Sequence, residues 1–393
     1  MELLKIFNPW WVSKEWEEKD KHLREYESMK IKWFPEWIKK ISLEPFSLNF
    51  VFGPRQVGKS TGIKILIKEL LKSNNPLSIF YFDVEILKDL EEFRNVLLSY
   101  RKIKEENRLK TSFIFLDEVT NLREWWRIVK GFIDAGIFEN DIITVTGSST
   151  LNLLRQKESF PGRRGKGKDI EILPLSFPEF LKIKGYDLSK KELFREEFKK
   201  EFKEYLEVGG YPKSINRIEF TKDLISSLET QLMKNNKSIT IFKQIISTLL
   251  EMVPSAISFN AIANKIGISN RTVENYIEDL ENLYILKVAY MKENKKVNFR
   301  KEKKIFIRDP FLLNSLAKWC NKEVRKDFLY EFIVQEHLFR KFGEIYYYRD
   351  SYEIDCIAKN LKVEVKAGKP HRKYPKNVII LDEENIADFL LEL

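Results

Sequence analysis

A glycine-rich turn near residue 55 carries the clearest chemical signal in the chain. Residues 53–60 read GPRQVGKS, which fits G-x-x-x-x-G-K-[ST], and they lie between an apolar run and a helical pattern. Such a loop binds phosphates through its backbone N–H groups and the N-terminus of the next helix. Lys59 would supply charge for the β- and γ-phosphates, and the Ser60 hydroxyl would bind Mg²⁺. The predicted nucleotide-binding residues of this loop are Gly53, Pro54, Arg55, Gln56, Val57, Gly58, Lys59, Ser60 and Thr61.

A second signal is a pair of carboxylates that follows an apolar strand pattern. Residues 113–116 read FIFL, and Asp117 and Glu118 come next. Ligands of open α/β sheets bind at the carboxyl ends of the strands, so both side chains are expected near the nucleotide. Asp117 is predicted to hold Mg²⁺ through its water shell, and Glu118 to orient and polarise the attacking water. Together with the glycine-rich turn, this pair predicts ATP hydrolysis.

A third segment offers hydroxyl groups to the same chemistry. The apolar run Ile142–Val145 leads to Thr146, Ser148 and Ser149. A polar side chain at the end of this strand could contact the γ-phosphate or the attacking water. The alternative is that residues 147–149 form a simple turn.

Two arginines lie just before the last apolar run of this region. Arg163 or Arg164 could reach the ATP of a neighbouring subunit and neutralise charge that develops in the transition state, which would require a homo-oligomer. A flexible basic loop is the alternative. The predicted catalytic residues are Lys59, Glu118, Thr146 and Arg163.

Four side chains near the end of the chain form a different pattern. Glu331 lies in a helical stretch, Asp355 in a predicted strand, and Glu364 and Lys366 in the next strand. Neighbouring strands that present two carboxylates and a lysine can hold a divalent metal ion. The alternative is the alternation of polar residues on a solvated face.

The elements that would position these residues alternate in the first half of the chain. Short apolar runs alternate with amphipathic stretches, which is typical of βαβ units around a buried parallel sheet. The runs are residues 48–52, 78–82, 112–116, 142–145 and 170–173. Beyond Pro174 the patterns are helical, until a smaller α/β unit begins near Asp327.

The opening stretch is rich in tryptophan. Its Trp residues are at positions 10, 11, 16, 33 and 37. We expect them to pack an N-terminal extension onto the domain that follows, because large aromatic side chains are mostly buried. Stacking on nucleic acid is the alternative.

Residues 258–280 have the spacing of a helix-turn-helix around Gly267, and a Lys-rich segment follows at 292–304. The second helix would expose Asn270, Arg271 and Asn275. Such a module could dock on double-stranded DNA, with the Lys-rich segment as a basic wing that neutralises phosphates. Winged helices also serve as protein-binding or spacer modules, so both interpretations stay open.

Composition excludes several classes of protein. The 393 residues contain two cysteines, Cys320 and Cys356, far apart in sequence, which excludes a disulfide scaffold and fits a reducing compartment. No apolar run approaches ~20 residues and no signal-peptide layout is present, so we expect a cytoplasmic protein without a membrane span. The formal charge of +10 permits nucleic-acid binding without requiring it.

Several of these segments together resemble the archaeal ATPase family of AAA+-like proteins. The matching segments are residues 8–11 (NPWW), 53–60, 162–163 (GR), 173–177 (LPLSF), 179–180 (EF) and 209–212 (GGYP). The likeness covers nearly the whole chain. It implies a P-loop ATPase joined to a winged-helix region and a C-terminal restriction-endonuclease-like domain. Where Ser60 stands the family usually has Thr, and either hydroxyl can serve Mg²⁺.

The resemblance implies an α/β fold with a P-loop NTPase parallel sheet of the additional-strand (AAA+/ASCE) type, in which the Asp117 strand is not adjacent to the Gly53 strand. A helical lid, a winged helix and a small α/β nuclease-like domain follow. The tail resembles the PD-(D/E)xK nuclease pattern, with Asp355 and Glu364 as metal ligands, Lys366 activating water and Glu331 supporting. The predicted domains are an N-terminal extension packed on the ATPase core (1–45), the P-loop ATPase core (46–175), the helical lid (176–243), the winged-helix domain (244–310) and the restriction-endonuclease-like domain (311–393).

Three functions are compatible with these patterns. The first is Mg²⁺-dependent ATP binding and hydrolysis coupled to DNA binding or remodelling by the C-terminal domains. The second is a signalling or scaffold ATPase that binds only protein partners, and the third is an ATP-gated nuclease. The expected cofactors are ATP and Mg²⁺; double-stranded DNA and further copies of the chain are candidate partners.

Overall fold

The chain divides into two units, Met1–Leu173 and Pro174–Leu393. The computed structural model describes residues 2–148, 160–293, 296–350, 352–366 and 374–393. Each unit is built around one β-sheet.

The sheet of the first unit is parallel throughout. Its strands are β1 (Ser47–Phe52), β2 (Ile79–Asp83), β3 (Phe113–Asp117), β4 (Ile142–Gly147) and β5 (Asp169–Glu171). They lie in the order β2-β3-β4-β1-β5. Strand β4 therefore separates β3, which ends at Asp117, from β1, which leads to Gly53. This order confirms the predicted additional-strand type of sheet.

Helices connect these strands and bury their apolar stripes on the sheet. The helices of the first unit are α1 (Glu2–Phe7), α2 (Trp16–Lys19), α3 (Lys21–Ser28), α4 (Lys59–Leu71), α5 (Leu90–Glu106) and α6 (Trp125–Asp134). In α4, the side chains of Ile63, Leu66, Ile67 and Leu70 recur at helical spacing and lie in the core. Strand β1 is buried along its whole length, as expected of a central parallel strand.

The N-terminal segment packs along β2, which lies at one edge of the sheet. Trp10 Nε1 and Trp11 Nε1 each donate to the carbonyl oxygen of Ile79 at 3.0 Å. Asn8 Oδ1 accepts from the backbone N–H of Tyr81 at 2.7 Å, and Asn8 Nδ2 donates to the Tyr81 carbonyl at 2.9 Å. Four of the five tryptophans noted in the sequence, at positions 10, 11, 16 and 37, contribute to the core.

The second unit begins with a run of helices. Its helices are α7 (Phe177–Ile183), α8 (Arg195–Val208), α9 (Pro212–Ile215), α10 (Thr221–Lys234), α11 (Ile239–Met252), α12 (Phe259–Ile266), α13 (Asn270–Asn282), α14 (Pro310–Cys320), α15 (Lys326–Phe342) and α16 (Ile386–Glu392). The Ser258 and Ser269 side chains cap α12 and α13, and Gly267 ends α12 at a φ of 73°. The two helices expected for residues 258–280 are therefore present.

Among the residues that the structure describes, six strands form the second sheet, and two of them make a long hairpin. The strands are β6 (Leu286–Glu293), β7 (Lys296–Ile307), β8 (Tyr346–Arg349), β9 (Glu353–Ala358), β10 (Leu361–Val365) and β11 (Ile379–Leu381). Their order is β11-β10-β9-β8-β6-β7. From the sequence, the β6–β7 hairpin is predicted to belong to one domain and the later strands to another.

In the structure, both groups of strands belong to the same sheet. Strand β6 pairs in parallel with β8, at Tyr290–Tyr346 and Met291–Tyr347. The physical reason is that the edge of β6 away from β7 carries backbone groups that need hydrogen-bond partners, which β8 supplies. The predicted boundary between residues 310 and 311 therefore separates strands that are joined in space.

Candidate active site

The glycine-rich turn joins the end of β1 to the start of α4, as its sequence predicts. Gly58 precedes the helix with a φ of 97°, a left-handed conformation in which a Cβ would be strained. Gln56 also has a positive φ, 62°. These angles turn the chain sharply between strand and helix, so residues 53–60 curve around the N-terminus of α4, where backbone N–H groups favour a phosphate.

Lys59 bridges this loop and the end of β3. Its ammonium donates to the carbonyl oxygens of Gly53 and Pro54, each at 3.0 Å, and Nζ lies 3.4 Å from Glu118 Oε1. The residue is only 4% exposed. The predicted phosphate-binding lysine and the predicted catalytic carboxylate are therefore neighbours.

Glu118 has the backbone geometry of a strained residue. Its φ and ψ are 50° and 41°, in the left-handed region that a non-glycine residue rarely adopts. The Oε2 atom is buried and has no hydrogen-bond partner in the part of the chain that the structure describes. A buried carboxylate oxygen without a donor fits a group that accepts a proton from, or orients, a bound water.

Asp117 is held by two neutral hydroxyl groups. Tyr81 Oη donates to Asp117 Oδ2 at 2.7 Å, and Thr146 Oγ1 donates to Oδ1. The Thr146 hydroxyl also accepts from the backbone N–H of Glu118 at 2.9 Å. Thr146 thus fixes both acidic residues, instead of standing alone as the sequence analysis expects.

Tyr81 is a site residue that the sequence analysis misses. Burial and the neighbouring Asp117 carboxylate raise the pKa of Tyr81 well above its ordinary value, so the phenol keeps its proton and donates it. Lys64 of α4 places its ammonium 3.7 Å from the centre of the Tyr81 ring and 3.4 Å from Asp20 Oδ2. The only sequence signal for Tyr81 is a polar aromatic residue within an apolar strand.

A further acidic group lies where β2 ends. Asp83 is the register partner of Asp117 in the β2–β3 pair. Burial raises the pKa of Asp83 to about 6, and the negative charge of Asp117 adds to the shift. Glu85 follows and its Oε1 lies 3.3 Å from Arg55 Nη2, so the glycine-rich turn is tied to this strand end as well.

The two predicted arginines are both engaged within the first unit. Arg163 pairs through Nε with Asp134, and its Nη1 donates to the Pro161 carbonyl at 2.9 Å. Arg164 Nη2 lies 2.6 Å from Asp169 Oδ1. The predicted Ser148 is buried, and Ser149 lies outside the described residues.

The four predicted residues of the tail come together in the second unit. The β9–β10 register pairs Cys356 with Val363, so Asp355 and Glu364 lie opposite each other, and Glu364 Oε2 accepts from the Asp355 N–H at 3.2 Å. Lys366 pairs with Glu364. Glu331 and Asp355 both contact the ammonium of Lys304. The sequence predicts Lys304 at the end of an exposed basic wing, whereas in the structure its side chain is buried among carboxylates.

The carboxylates of the tail cluster have lysines as neighbours. Among the residues described, no group of three or more His, Cys, Asp or Glu side chains is arranged to hold a metal ion. The expected ligands therefore lie side by side, but in the company of lysines.

The helix-turn-helix and the hairpin carry opposite charge. Helix α13 contains one basic residue, Arg271, and four acidic residues, and Arg271 Nη1 pairs with Glu274 at 3.3 Å. In contrast, the exposed half of β7 carries Lys296, Arg300 and Lys301 around Phe299, which is 66% exposed. The expected DNA-facing helix is thus acidic, and the basic surface lies on the hairpin.

Comparison with known proteins defines the class of the first unit. Residues 46–181 match the family model described as "AAA domain". The sheet order and the loop geometry of this segment agree with that match. Residues 199–323, in the second unit, match a domain of unknown function (DUF8612).

Two relatives that match over most of the chain are described as uncharacterized proteins. One is the Methanocaldococcus jannaschii protein MJ1544, 25% identical over 356 residues, which cover 81% of this chain and 73% of the relative. Another, from Haemophilus influenzae, is 25% identical over 373 residues, 88% of each chain. The relatedness thus extends through both units.

Two solved structures can also be compared with the chain. The Aeropyrum pernix ORC2 protein, solved as ADPNP–ADP complexes, matches with 10% identity and a TM-score of 0.42, over 79% of this chain and 94% of its own. RuvB of Thermotoga maritima matches with 16% identity and a TM-score of 0.34, over 80% and 97%. Both TM-scores are below 0.5, so neither likeness bears on function.

A membrane-spanning helix needs a longer and more apolar stretch than any helix in the described part of the chain provides.

Proposed function

We propose that the first unit binds ATP with Mg²⁺ and hydrolyses it. The observation that carries this proposal is the convergence of Lys59, Asp117 and Glu118 at one edge of the sheet, with Nζ of Lys59 3.4 Å from Glu118 Oε1. Lys59 neutralises the β- and γ-phosphates, and the loop N–H groups hold them. Glu118, with a buried oxygen that lacks a donor among the described residues, orients the attacking water and takes its proton.

The residues around the loop fit a hard cation. The Ser60 hydroxyl and the Asp117 carboxylate are oxygen ligands of the kind that Mg²⁺ prefers. When bound there, Mg²⁺ would neutralise charge on the phosphates. Tyr81 and Thr146 fix the carboxylate of Asp117 through hydroxyl donors, which leave its negative charge in place.

Two substitutions test the proposal. Lys59→Ala should abolish ATP binding, because the loop loses the side chain that neutralises the phosphates. Glu118→Gln should keep ATP bound and stop its turnover, because the amide cannot accept a proton. Equilibrium binding of a fluorescent ATP analogue and steady-state phosphate release measure both effects. Wild-type turnover by a clean Glu118→Gln preparation would remove Glu118 from the mechanism.

For Arg163 we propose a role in a homo-oligomer, at the ATP of a neighbouring subunit. The support is its position on a basic loop, where its ion pair with Asp134 is partly exposed to solvent and therefore easily exchanged. Arg163→Ala should bind ATP normally and hydrolyse it slowly. Mixing it with Lys59→Ala protein should restore activity; no restoration in an assembled mixture would place the arginine in its own subunit or outside the reaction.

A second candidate function is coupling of ATP turnover to nucleic acid. The support is the exposed half of β7, where Lys296, Arg300 and Lys301 supply positive charge for phosphates and the exposed ring of Phe299 offers a surface for base stacking. Two acidic residues border this surface, Glu293 opposite Lys296 and Glu302 after Lys301, and the three basic residues outnumber them.

Duplex DNA tests this second candidate. It should raise the ATPase rate and bind with an affinity that falls steeply with salt, because phosphate contacts release counterions. The acidic surface of α13 favours protein partners instead. Salt-independent binding or an unchanged ATPase rate would support that alternative.

A further inference from the structure

One buried ammonium joins three carboxylates in the second unit. Lys304 of β7 contacts Asp355 Oδ1 through Nζ, which also lies 2.9 Å from Glu331 Oε1 and 2.9 Å from Glu353 Oε1. The Lys304 side chain is 3% exposed. Although β7 and β9 are not neighbours in the sheet, this lysine connects β7 to β9 and to helix α15.

The charge of Lys304 is firmly held. Burial alone would lower its pKa, but the carboxylates of Glu331, Asp355 and Glu353 outweigh burial and raise the pKa well above its ordinary value. With three acidic partners within hydrogen-bond distance, the ammonium of Lys304 keeps its proton at neutral pH. The ammonium is therefore a permanent positive charge among these carboxylates.

The other expected metal ligand is also bound to internal donors. Glu364 Oε1 accepts from Tyr374 Oη at 2.9 Å and from the Lys366 ammonium, and Oε2 accepts from the Asp355 N–H. Asp355 Oδ2 accepts from the Val365 N–H at 2.9 Å. Lys366, which the sequence analysis expects to activate water, is thus the counter-ion of Glu364.

Lys304 and Lys366 each contact one oxygen of the two carboxylates that a divalent ion would need, Asp355 Oδ1 and Glu364 Oε1. The other oxygen of each carboxylate accepts a backbone N–H. Mg²⁺ and Mn²⁺ bind carboxylate oxygens at about 2.0–2.2 Å, so an ion held by Asp355 and Glu364 would lie beside two ammonium groups, and the like charges would repel each other. The residues present therefore do not fit the metal that the nuclease-like pattern implies.

We infer that Lys304 is the resident cation of this acidic cluster, and that Asp355 and Glu364 do not bind a divalent metal ion in the native protein. Metal-dependent cleavage of nucleic acid at these residues is then not a function of the second unit. The inference is independent of ATP hydrolysis by the first unit.

Mn²⁺ binding to the nucleotide-free full-length protein tests the inference, followed by electron paramagnetic resonance. The wild type and Asp355→Asn should bind the same amount of Mn²⁺, because Asp355 holds none in the wild type. Lys304→Met should gain a site, with affinity raised by about tenfold or more, because the carboxylates lose their cation. Lys301→Met, an exposed lysine of the same strand, is the matched control and should gain nothing. Any Mn²⁺ that binds at the first unit is recognised by its loss in the Asp117→Asn variant.

Two results would overturn the inference. One is Asp355-dependent Mn²⁺ binding by the wild type, or Mn²⁺-dependent DNA cleavage that Asp355→Asn abolishes. The other is a folded Lys304→Met protein with no gain of metal. The wild-type measurement decides even where Lys304→Met fails to fold.

Discussion

Each unit buries an aspartate beside a second carboxylate, but the donors around the two aspartates differ. Asp117 accepts from the hydroxyls of Tyr81 and Thr146, which carry no charge. Asp355 accepts from the ammonium of Lys304 and from a backbone N–H. Neutral donors orient a carboxylate and leave its charge available to a ligand, whereas a buried ammonium cancels that charge. By this criterion, Asp117 belongs to the proposed binding site and Asp355 to the proposed structural ion pair.

The matched substitutions Asp117→Asn and Asp355→Asn test this contrast most directly. Asp117→Asn should lower ATP turnover by about 100-fold, because the charge that serves Mg²⁺ is lost. Asp355→Asn should leave turnover unchanged in folded protein. Steady-state phosphate release at saturating ATP measures both. Full turnover by Asp117→Asn would show that the charge of Asp117 is not needed for ATP hydrolysis.

The lysine itself gives the next largest effect. Lys304→Ala should destabilise the second unit by about 3–5 kcal/mol, because it leaves buried carboxylates without a counter-ion. Lys301→Ala, on the exposed part of the same strand, should change stability by less than about 0.5 kcal/mol. Hydrogen exchange of the β9 amides in increasing denaturant reports the difference. Equal stability of the two variants would show that Lys304 is not a structural counter-ion.

The hydroxyl donors of Asp117 give a smaller effect. Tyr81→Phe should lower turnover by about tenfold and raise the Mg²⁺ concentration needed for half-maximal rate, because Asp117 loses one of its orienting bonds. ATP binding should not change. Tyr100→Phe, which removes a hydrogen bond to the Leu77 carbonyl, is the control and should leave the Mg²⁺ requirement unchanged. If both variants raise the Mg²⁺ concentration for half-maximal rate by the same amount, the effect of Tyr81→Phe is one of stability alone.

The smallest expected effect concerns Asp83. Its pKa is raised to about 6 in the folded state, so the folded protein binds the proton more tightly than the unfolded chain. The stability that this proton contributes is present below pH ~4 and is lost as the pH rises through about 6. Asp83→Asn should therefore stabilise the first unit by about 1 kcal/mol at pH 7.5, allowing for partial solvent screening, and by less near pH 4. Denaturant titrations at the two pH values measure the free energy of unfolding of the variant and the wild type. The same difference between the two proteins at both pH values would contradict the raised pKa of Asp83.

The meeting of Lys59 with Glu118 could be predicted from the sequence because its signals are local. Residues 53–60 and the Asp117–Glu118 pair each lie within one turn or one strand end, and the fold rule for parallel sheets brings them together. The additional-strand order of the sheet followed from the family resemblance. The contact of Tyr81 with Asp117, 36 positions away, depends on which strands are adjacent, and no short pattern encodes that.

The tail shows the opposite case. The pattern of Asp355, Glu364 and Lys366 does predict that these side chains meet, but not that Lys304, 51 positions from Asp355, enters the cluster. That lysine looks like one more residue of a basic segment in the sequence. Its burial follows from the pairing of β6 with β8, a long-range choice that hydrophobic periodicity does not determine.

The side chains that cover β2 have a consequence for solubility. An edge strand with open N–H and C=O groups is a template on which another chain can add a strand and aggregate. Here Asn8 saturates both backbone groups of Tyr81, and the indoles of Trp10 and Trp11 occupy the Ile79 carbonyl. The segment thus imitates a neighbouring strand with side chains alone. A chain that lacks residues 1–11 would keep its nucleotide-binding loop, but the backbone groups of β2 would be open to pairing with another chain.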